Sequence, residues 1–350
     1  MAERPAKKRP TEATGQTRSG RVAILGRPNV GKSTLLNAAL DQPLSIVSPT
    51  PQTTRDAILG IVRHGSTEIA LIDTPGLHKA GSALGRAMNR SARDAAKDAD
   101  VVVFVAEVPP AKVLSRGGAG IHPGDASLLA DIPAETPVIL VLNKVDLAKN
   151  KEALLPLLQA LSAARDFAAV VPVSALRTGK GGVARVLDEV AKLCPQGPHQ
   201  HAEDEITDRP VRFFAAEYVR EQILRATKEE VPHAVAVEVT EFREPGPGRK
   251  PRPGTPAGEQ KEPVVRIEAT IHVERPGQKK ILVGTKAEML KRIGTAARKR
   301  IEELLGRRVH LQLFVRVTAD WRDSPQQLEE LGYQTPRGAG AGSGPNGETQ

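Results

Sequence analysis

Residues 21–34 read RVAILGRPNVGKST, an apolar run that meets a glycine-bounded loop ending in Gly-Lys-Ser-Thr. No other stretch so narrows what the chain can fold into. The pattern G-x-x-x-x-G-K-[ST], with a strand before it and a helix after it, is a loop whose backbone N–H groups wrap phosphate oxygens at a helix N-terminus. A strand feeding such a loop belongs to a parallel sheet, buried between two layers of helices. The rest of the first 195 residues supplies that setting. Short β-rich runs at 21–25, 68–73, 101–106, 137–142 and 169–173 alternate with helical stretches at 32–40, 84–97, 125–131, 151–164 and 180–193. This alternation predicts an α/β domain with a mostly parallel sheet and helices on both faces.

Chemistry can be assigned within this frame. Gly26, Arg27, Pro28, Asn29, Val30, Gly31, Lys32, Ser33 and Thr34 form the phosphate loop. Lys32 is placed to reach the β- and γ-phosphates, and the Ser33 hydroxyl to bind Mg²⁺. The next apolar run ends in Asp73, Thr74, Pro75 and Gly76. A carboxylate at that strand end supports the metal, and the Gly76 N–H can meet the γ-phosphate. Leu77 follows, where many GTP-hydrolysing proteins carry a Gln that orients the attacking water. A leucine cannot hydrogen-bond to water, so hydrolysis needs another source of assistance.

PVILVL runs into Asn143, Lys144, Val145 and Asp146. Guanine presents two adjacent donors, N1–H and the 2-amino group, that one carboxylate accepts together. Adenine would leave that carboxylate unpaired, at a cost of a few kcal/mol. Ser174 and Ala175 end a further strand, where a backbone N–H can donate to guanine O6. Four motifs in this order select GTP over ATP. Between the first two lies SPTPQTTRDAILG, a polar loop of the kind that orders around a γ-phosphate. Thr54 is favoured over Thr53 as its Mg²⁺ ligand, and Arg55 is read as shaping the loop rather than as an arginine finger. The candidate catalytic residues are Lys32, Thr54, Gly76 and Asn29; the candidate metal ligands are Ser33, Thr54 and Asp73.

The second half is built differently. CPQGPHQHAEDEITDRP, 194–210, reads as a linker, and Cys194, His199 and His201 within it fit no zinc spacing. A helical segment at 212–229 leads to two alternating strands, HAVAVEVTEF and VVRIEATIHVER, separated by a Pro- and Gly-rich hairpin. A helix–helix stretch at 285–305, with a break expected at Gly294, precedes the strand VHLQLFVRV. The charge is concentrated here. Residues 264–323 hold 14 Lys/Arg against 7 Asp/Glu, a local +7 of the chain's formal +9. That asymmetry points to a polyanion bound by the C-terminal part. Leu290, Ile293, Ala297, Ile301 and Leu304 recur at helical spacing and are expected in the core. Lys291, Arg292, Arg298, Lys299 and Arg300 then face largely outward. The turn Gly284, Thr285, Lys286, Ala287 opens this helix and is similar to the G-x-x-G turn of a KH module, which clamps single-stranded RNA. Its second glycine is replaced by Ala287. The single cysteine excludes an internal disulfide, and no apolar run approaches membrane-span length.

In order and combination, GRPNVGKST, PQTTR, DTPGLH, NKVD, VSA, EEVPHAVAVEV, GTKAEMLKRIGTAARKRIE and DWR resemble the Era family of bacterial GTPases over roughly residues 20–333. The resemblance implies a G domain at 20–195, a linker at 196–210 and a type II KH domain at 211–325 with a hairpin insertion at 243–263. Disordered tails are expected at 1–19 and 326–350. It implies Mg²⁺-dependent GTP hydrolysis coupled to 16S rRNA processing and 30S subunit biogenesis. Gly284, Thr285, Lys286, Ala287, Lys291, Arg292 and Arg298 would carry the RNA. It also implies a monomer in the cytoplasm, with a peripheral fraction on the inner membrane. One route known in related GTPases supplies K⁺ through the P-loop Asn, here Asn29. Two other readings stay open: a GTP-sensing RNA-binding protein without hydrolysis, and a peripheral membrane signalling protein with little hydrolysis.

Overall fold

The computed structural model of the 350-residue chain describes residues 17–333, apart from 78–79, 111–112, 114–119, 149, 151, 178–181 and 246–263. Nearly all of the N-terminal tail, most of the C-terminal tail and of the Pro-rich hairpin, and His78 lie outside the described residues.

The first part comprises β1 (Arg18–Leu25), α1 (Lys32–Leu40), β2 (Ile58–His64), β3 (Thr67–Asp73), α2 (Ala83–Lys97), β4 (Val101–Glu107), α3 (Pro123–Ala130), β5 (Val138–Asn143), α4 (Leu155–Ala164), β6 (Ala169–Pro172) and α5 (Val183–Leu193). The six strands form one sheet in the order β2-β3-β1-β4-β5-β6, parallel except for β2. Every residue of β3 and β5 is buried, as expected of strands covered on both faces. Leu35, Leu36, Val186 and Val190 of α1 and α5 pack on one face. Ala96, Leu128, Leu129, Leu157 and Leu161 of α2, α3 and α4 cover the other. The α/β fold expected from the sequence is therefore present.

One strand is absent from the sequence expectation. ILGIVRH, assigned to no element, forms β2 and pairs antiparallel with β3 from Ile58↔Asp73 to His64↔Thr67. A two-residue turn, Gly65-Ser66, joins them, with Gly65 in the left-handed region at φ 59. As an edge strand β2 is only partly buried, so its period-2 signal is weak.

The second part comprises α6 (Val211–Ala226), β7 (Ala236–Arg243), β8 (Val265–Val273), α7 (Pro276–Val283), α8 (Glu288–Leu305), β9 (Val309–Val317) and α9 (Pro325–Glu330). β8 is central, antiparallel to β7 and parallel to β9. This α-β-β-α-α-β order is that expected of a type II KH domain. Two details differ from expectation. Residues 276–283 form a helix, started by Pro276 at its first turn and by the Gln278 side chain accepting from the Glu274 and Arg275 N–H groups at 3.0 Å. The break between helices falls at Gly284–Ala287, while α8 runs unbroken through Gly294. Gly294 instead lets the helix approach Leu313 of β9, whose Cδ1 lies 3.3 Å from where a Cβ would be. Ile293, Ala297 and Ile301 are buried; Leu304, at 37% exposure, is not in the core.

The apolar cluster beneath α1 and α5 continues through Phe214, Ala215 and Tyr218 of α6 into Ile267 and Ile301. Residues 196–206 pack along β1–β3 rather than crossing solvent. Gly197 N donates to Thr17 O, and the N–H groups of Gln200 and His201 donate to the buried Glu68 carboxylate.

Candidate nucleotide site and nucleic-acid face

The phosphate loop leaves β1 at Gly26 and enters α1 at Lys32. Gly31 sits at φ 102, and a Cβ there would fall 2.2 Å from the Asn143 amide nitrogen. Both the backbone angle and the close approach demand glycine. Gly76 is confined by contact alone, since a Cβ would lie 2.7 Å from Pro28 Cα. The DTPG turn is thus pressed directly against the phosphate loop.

Lys32 is 6% exposed, and its Nζ donates to the Gly26 and Arg27 carbonyls at 3.0 Å. Burial lowers its pKa to about 8, against the opposing pull of Asp73. Asp73 is wholly buried, and burial raises its pKa while Lys32 and three hydroxyls hold it down. Ser33 Oγ donates to Asp73 Oδ2 at 2.6 Å, Ser45 Oγ at 2.9 Å and Thr54 Oγ1 at 3.3 Å. Asp73 Oδ1 has no protein partner. A buried carboxylate with an orphaned oxygen, backed by hydroxyls, is a donor set that suits a small hard dication such as Mg²⁺. Thr53 Oγ1 turns away to Thr50 O at 2.7 Å, whereas Thr54 Oγ1 lies 2.8 Å from Ser33 Oγ.

At the other end, Asn143 ties three loops together. Its Nδ2 donates to Val30 O at 2.8 Å, and its Oδ1 accepts from Ala175 N at 3.1 Å. Lys144, left-handed at φ 62, reaches Asn29 O at 2.7 Å and pairs with Glu107. Ser174 Oγ donates to Asp146 Oδ1 at 2.6 Å, a bond that lowers the pKa of this exposed carboxyl. Asp146 is therefore held ionised and able to accept.

A cavity of about 610 Å³ joins the two ends. Pro28, Asn29, Gly31, Lys32, Ser33, Thr34, Thr54, Gly76, Asn143, Lys144, Asp146, Ser174 and Ala175 line it. Other candidates stand behind its wall. Arg27 turns to Asp125 at 3.0 Å, Val30 is in the core, and the Thr74 hydroxyl donates to Ile24 O at 2.7 Å. Leu77 and Val145 pack against the apolar cluster beneath α2–α4, so Leu77 serves packing. Ser48, Pro49, Gln52 and Thr53 of the SPTPQTTRDAILG loop line the cavity too, whereas Ile46, Val47, Leu147, Leu176 and Arg225 were not foreseen. Leu147 and Leu176 are 62% and 78% exposed beside Asp146 and Ala175. Their position directly after NKVD and VSA was the available signal for apolar walls around a base. Arg225 belongs to α6, and nothing in the sequence connects it with this cavity.

On the C-terminal part, Ala287, Leu290, Lys291, Gly294, Thr295, Arg298, Leu311, Gln312 and Leu313 border a second groove of about 310 Å³ between α8 and β9. Leucines form its floor and Lys291 and Arg298 its rim, a pairing suited to bases and phosphates respectively. Gly284, Lys286 and Ala287 have φ of 68, 50 and 60, so the GTKA turn is left-handed even at its alanine. Thr285 and Lys286 are exposed on it. Arg292 departs from expectation: it borders a different groove, with Gln222 and Arg225 of α6. The linker residues also separate. Cys194 is buried against Gly20, His199 meets Ser66 O, and His201 meets Glu68.

The family model of 50S ribosome-binding GTPases matches residues 21–144, and that of the KH domain matches residues 254–322. GTPase Era of Geotalea uraniireducens is 44% identical over 319 residues, covering 91% of this chain and 99% of that protein. GTPase Era of Ruminiclostridium cellulolyticum is 40% identical over 321 residues, covering 91% and 98%. Among solved structures, Era in complex with MgGDPNP and nucleotides 1506–1542 of 16S ribosomal RNA superposes with a TM-score of 0.78 at 35% identity, over 91% of this chain and 99% of that one. An Aquifex aeolicus Era variant bound to GDP·AlF4⁻ matches equally well. With one cavity joining the phosphate and guanine motifs, and relatives that match from end to end, the chain belongs to the Era family of GTPases.

Proposed function

We propose that this chain hydrolyses GTP with Mg²⁺ and binds 16S rRNA through the groove between α8 and β9, acting in 16S rRNA processing and 30S subunit biogenesis. The observation that carries the reading is the single cavity bounded by Lys32, Ser33 and Thr54 at one end and by Asp146 and Ser174 at the other. Asp146 accepts from guanine N1–H and the 2-amino group, and the Ala175 N–H, which here donates to Asn143 Oδ1, lies at the same end of the cavity. Lys32 exchanges its two carbonyl acceptors for phosphate oxygens. Asp73, with Ser33 and Thr54 in front of it, would hold Mg²⁺, which when bound neutralises charge developing between the β- and γ-phosphates. The Gly76 N–H positions the γ-phosphate.

Leu77 itself offers the attacking water no hydrogen bond. Asn29 Nδ2 donates to Pro49 O at 3.0 Å, which leaves Oδ1 to hold K⁺ at the cavity edge. The rRNA reading rests on the basic rim of Lys291 and Arg298, on the family, and on the rRNA bound by the relative of known structure. We place the protein in the cytoplasm as a monomer, with a peripheral inner-membrane fraction. This rests on the family resemblance; among the described residues no helix is long and apolar enough to cross a membrane.

The test is multiple-turnover phosphate release from GTP and ATP in K⁺ and in Na⁺, beside salt titrations against a 16S 3′-end RNA and against anionic vesicles. GTP-selective turnover, raised by K⁺, with binding to RNA is expected. Turnover at equal rates in both salts removes K⁺. Vesicle binding without RNA binding removes the ribosomal role.

A further inference from the structure

The segment between α1 and β2 carries Thr54 and forms one wall of the nucleotide cavity. The C-terminal domain grips it at three carbonyls. Pro43 O accepts from Tyr218 Oη at 3.2 Å, Val47 O from Arg225 at 3.5 Å, and Thr53 O from Arg220 Nη2 at 2.5 Å. Arg55 reciprocates. Its guanidinium donates to Pro232 O at 3.3 Å, His233 O at 3.1 Å and Val235 O, and lies 5.6 Å above the Trp321 ring, within 3.4 Å of the Tyr333 hydroxyl. Arg55 is 6% exposed and Arg220 1%.

Burying two guanidinium groups is costly unless their donors are met. The Arg55 donors are met across the domain boundary, whereas Arg220 is neutralised by Glu217 on its own helix at 2.6 Å and sends one bond across, to Thr53 O. The peptide bearing the Thr54 hydroxyl is thus clamped on both sides, by Arg220 at position 53 and through Arg55 at position 55. The Thr54 hydroxyl itself meets only groups of the nucleotide site, Ser33 Oγ at 2.8 Å and Asp73 Oδ2 at 3.3 Å, so the hold from the C-terminal domain falls on the backbone around it.

Building on the reading of Thr54 as a metal-facing hydroxyl, we propose that Arg55 is a positioning residue for GTP hydrolysis, using the C-terminal domain as a scaffold that fixes Thr54. Loss of this clamp lets the segment fluctuate, and misplacement of a positioned group by a fraction of an ångström lowers turnover more than binding. The same scaffold reaches the RNA groove. Arg300 of α8 lies 4.9 Å over the Tyr218 ring and 3.5 Å from Pro43 O, on the helix whose Lys291 and Arg298 rim that groove. By reciprocity, whatever γ-phosphate occupancy does to RNA affinity, RNA does equally to affinity for the GTP form.

Trp321 is the only tryptophan in the chain, so its emission reports on the Arg55 contact. In the full-length protein, exchanging GDP for a non-hydrolysable GTP analogue is expected to shift Trp321 emission. Arg55→Lys is expected to remove that shift and lower kcat about tenfold or more, with GDP affinity and KM nearly unchanged. It should also abolish the effect of the analogue on RNA affinity. Arg220→Lys, which leaves the Arg55 contacts in place, is expected to give the same kcat-selective loss, and it decides the matter should Arg55→Lys fold poorly. Wild-type kcat in a folded Arg55→Lys or, in its absence, in Arg220→Lys overturns the proposal. So does equal weakening of GDP and GTP binding, which marks a purely structural role. Absence of GTP turnover in the wild-type protein would instead overturn the GTPase reading itself.

Discussion

At the scale of the residue, burial sets the chemistry of Lys32. Its pKa of about 8 in the absence of phosphate must rise once phosphate oxygens surround the ammonium. Below pH 8 the lysine is already charged and nucleotide binding takes up no proton. Above it, a proton is bound together with the nucleotide. Affinity for GTP is therefore expected to be flat from pH 6.5 to 7.5 and to fall above pH 8, by up to about tenfold per unit. Equilibrium titration with a fluorescent GTP analogue across that range measures it. Asp146 makes a sharper case. Asp146→Asn places an amide donor opposite the guanine 2-amino donor, so GTP affinity is expected to fall by about a hundredfold or more. Xanthosine triphosphate, with a carbonyl acceptor at that position, should bind the variant better than GTP does; competition binding decides it. Ala287 holds a left-handed conformation that costs a Cβ-bearing residue roughly 1–2 kcal/mol. Ala287→Gly removes that strain and a methyl from the clamp, against an entropy loss of about 0.5–1 kcal/mol. Stability should change by no more than about 1 kcal/mol, while RNA affinity rises roughly severalfold.

At the scale of the element, one carboxylate gathers several of the bonds that hold the segment after α5. Burial alone would raise the Glu68 pKa, but hydrogen bonds from the Gln200 and His201 N–H groups, the His201 ring and Ser19 override it and hold it at about 2. Arg63 adds an ion pair at 2.8 Å. The folded pKa lies below the unfolded value, so this stabilisation is complete above pH 4.5 and is lost as pH falls toward 2. Glu68→Gln is expected to destabilise the protein by about 2 kcal/mol at pH 7 and by much less at pH 3. Urea unfolding at the two pH values gives the difference. A stretch that composition reads as a linker, from its Pro, Gly and polar content, is here a packed strap. The signal lay 132 and 133 residues away in Glu68, a charge one residue into a wholly buried strand, and no local pattern connects the two. The break between helices misled for a related reason. Gly294 is the conspicuous glycine, but helices tolerate a glycine where a neighbouring strand needs the space, and Leu313 of β9 occupies that space.

At the scale of the whole molecule, the basic charge of residues 264–323 is spread over more than one face. Lys291 and Arg298 rim the α8–β9 groove, while Arg292 and Arg300 face α6 and the segment bearing Thr54. Binding to single-stranded RNA should weaken with salt, with a log–log slope near −0.7 per phosphate contacted. Lys291→Ala with Arg298→Ala is expected to flatten that slope by about 1.4, whereas Arg292→Ala leaves it unchanged within about 0.3. Filter binding over a tenfold range of NaCl separates the two.

The motifs could be recognised from adjacency in the chain. GRPNVGKST, DTPG, NKVD and the final strand end are each legible from residue type and spacing, although in the fold they bond to one another, as Asn143 does to Val30 and Ala175. The sequence alone therefore determined the α/β class, the preference for guanine and the two-part organisation. Only the tertiary structure decided what depends on surfaces meeting across long separations. These are the antiparallel edge strand β2, the strap on Glu68, the packing role of Leu77 and the turning of Arg292 away from the α8–β9 groove. Arg55 shows the limit most plainly. Its partners Pro232, His233, Val235, Trp321 and Tyr333 lie 177 to 278 residues further along. A buried guanidinium is specified by the carbonyls that surround it, and those are set by how two domains pack.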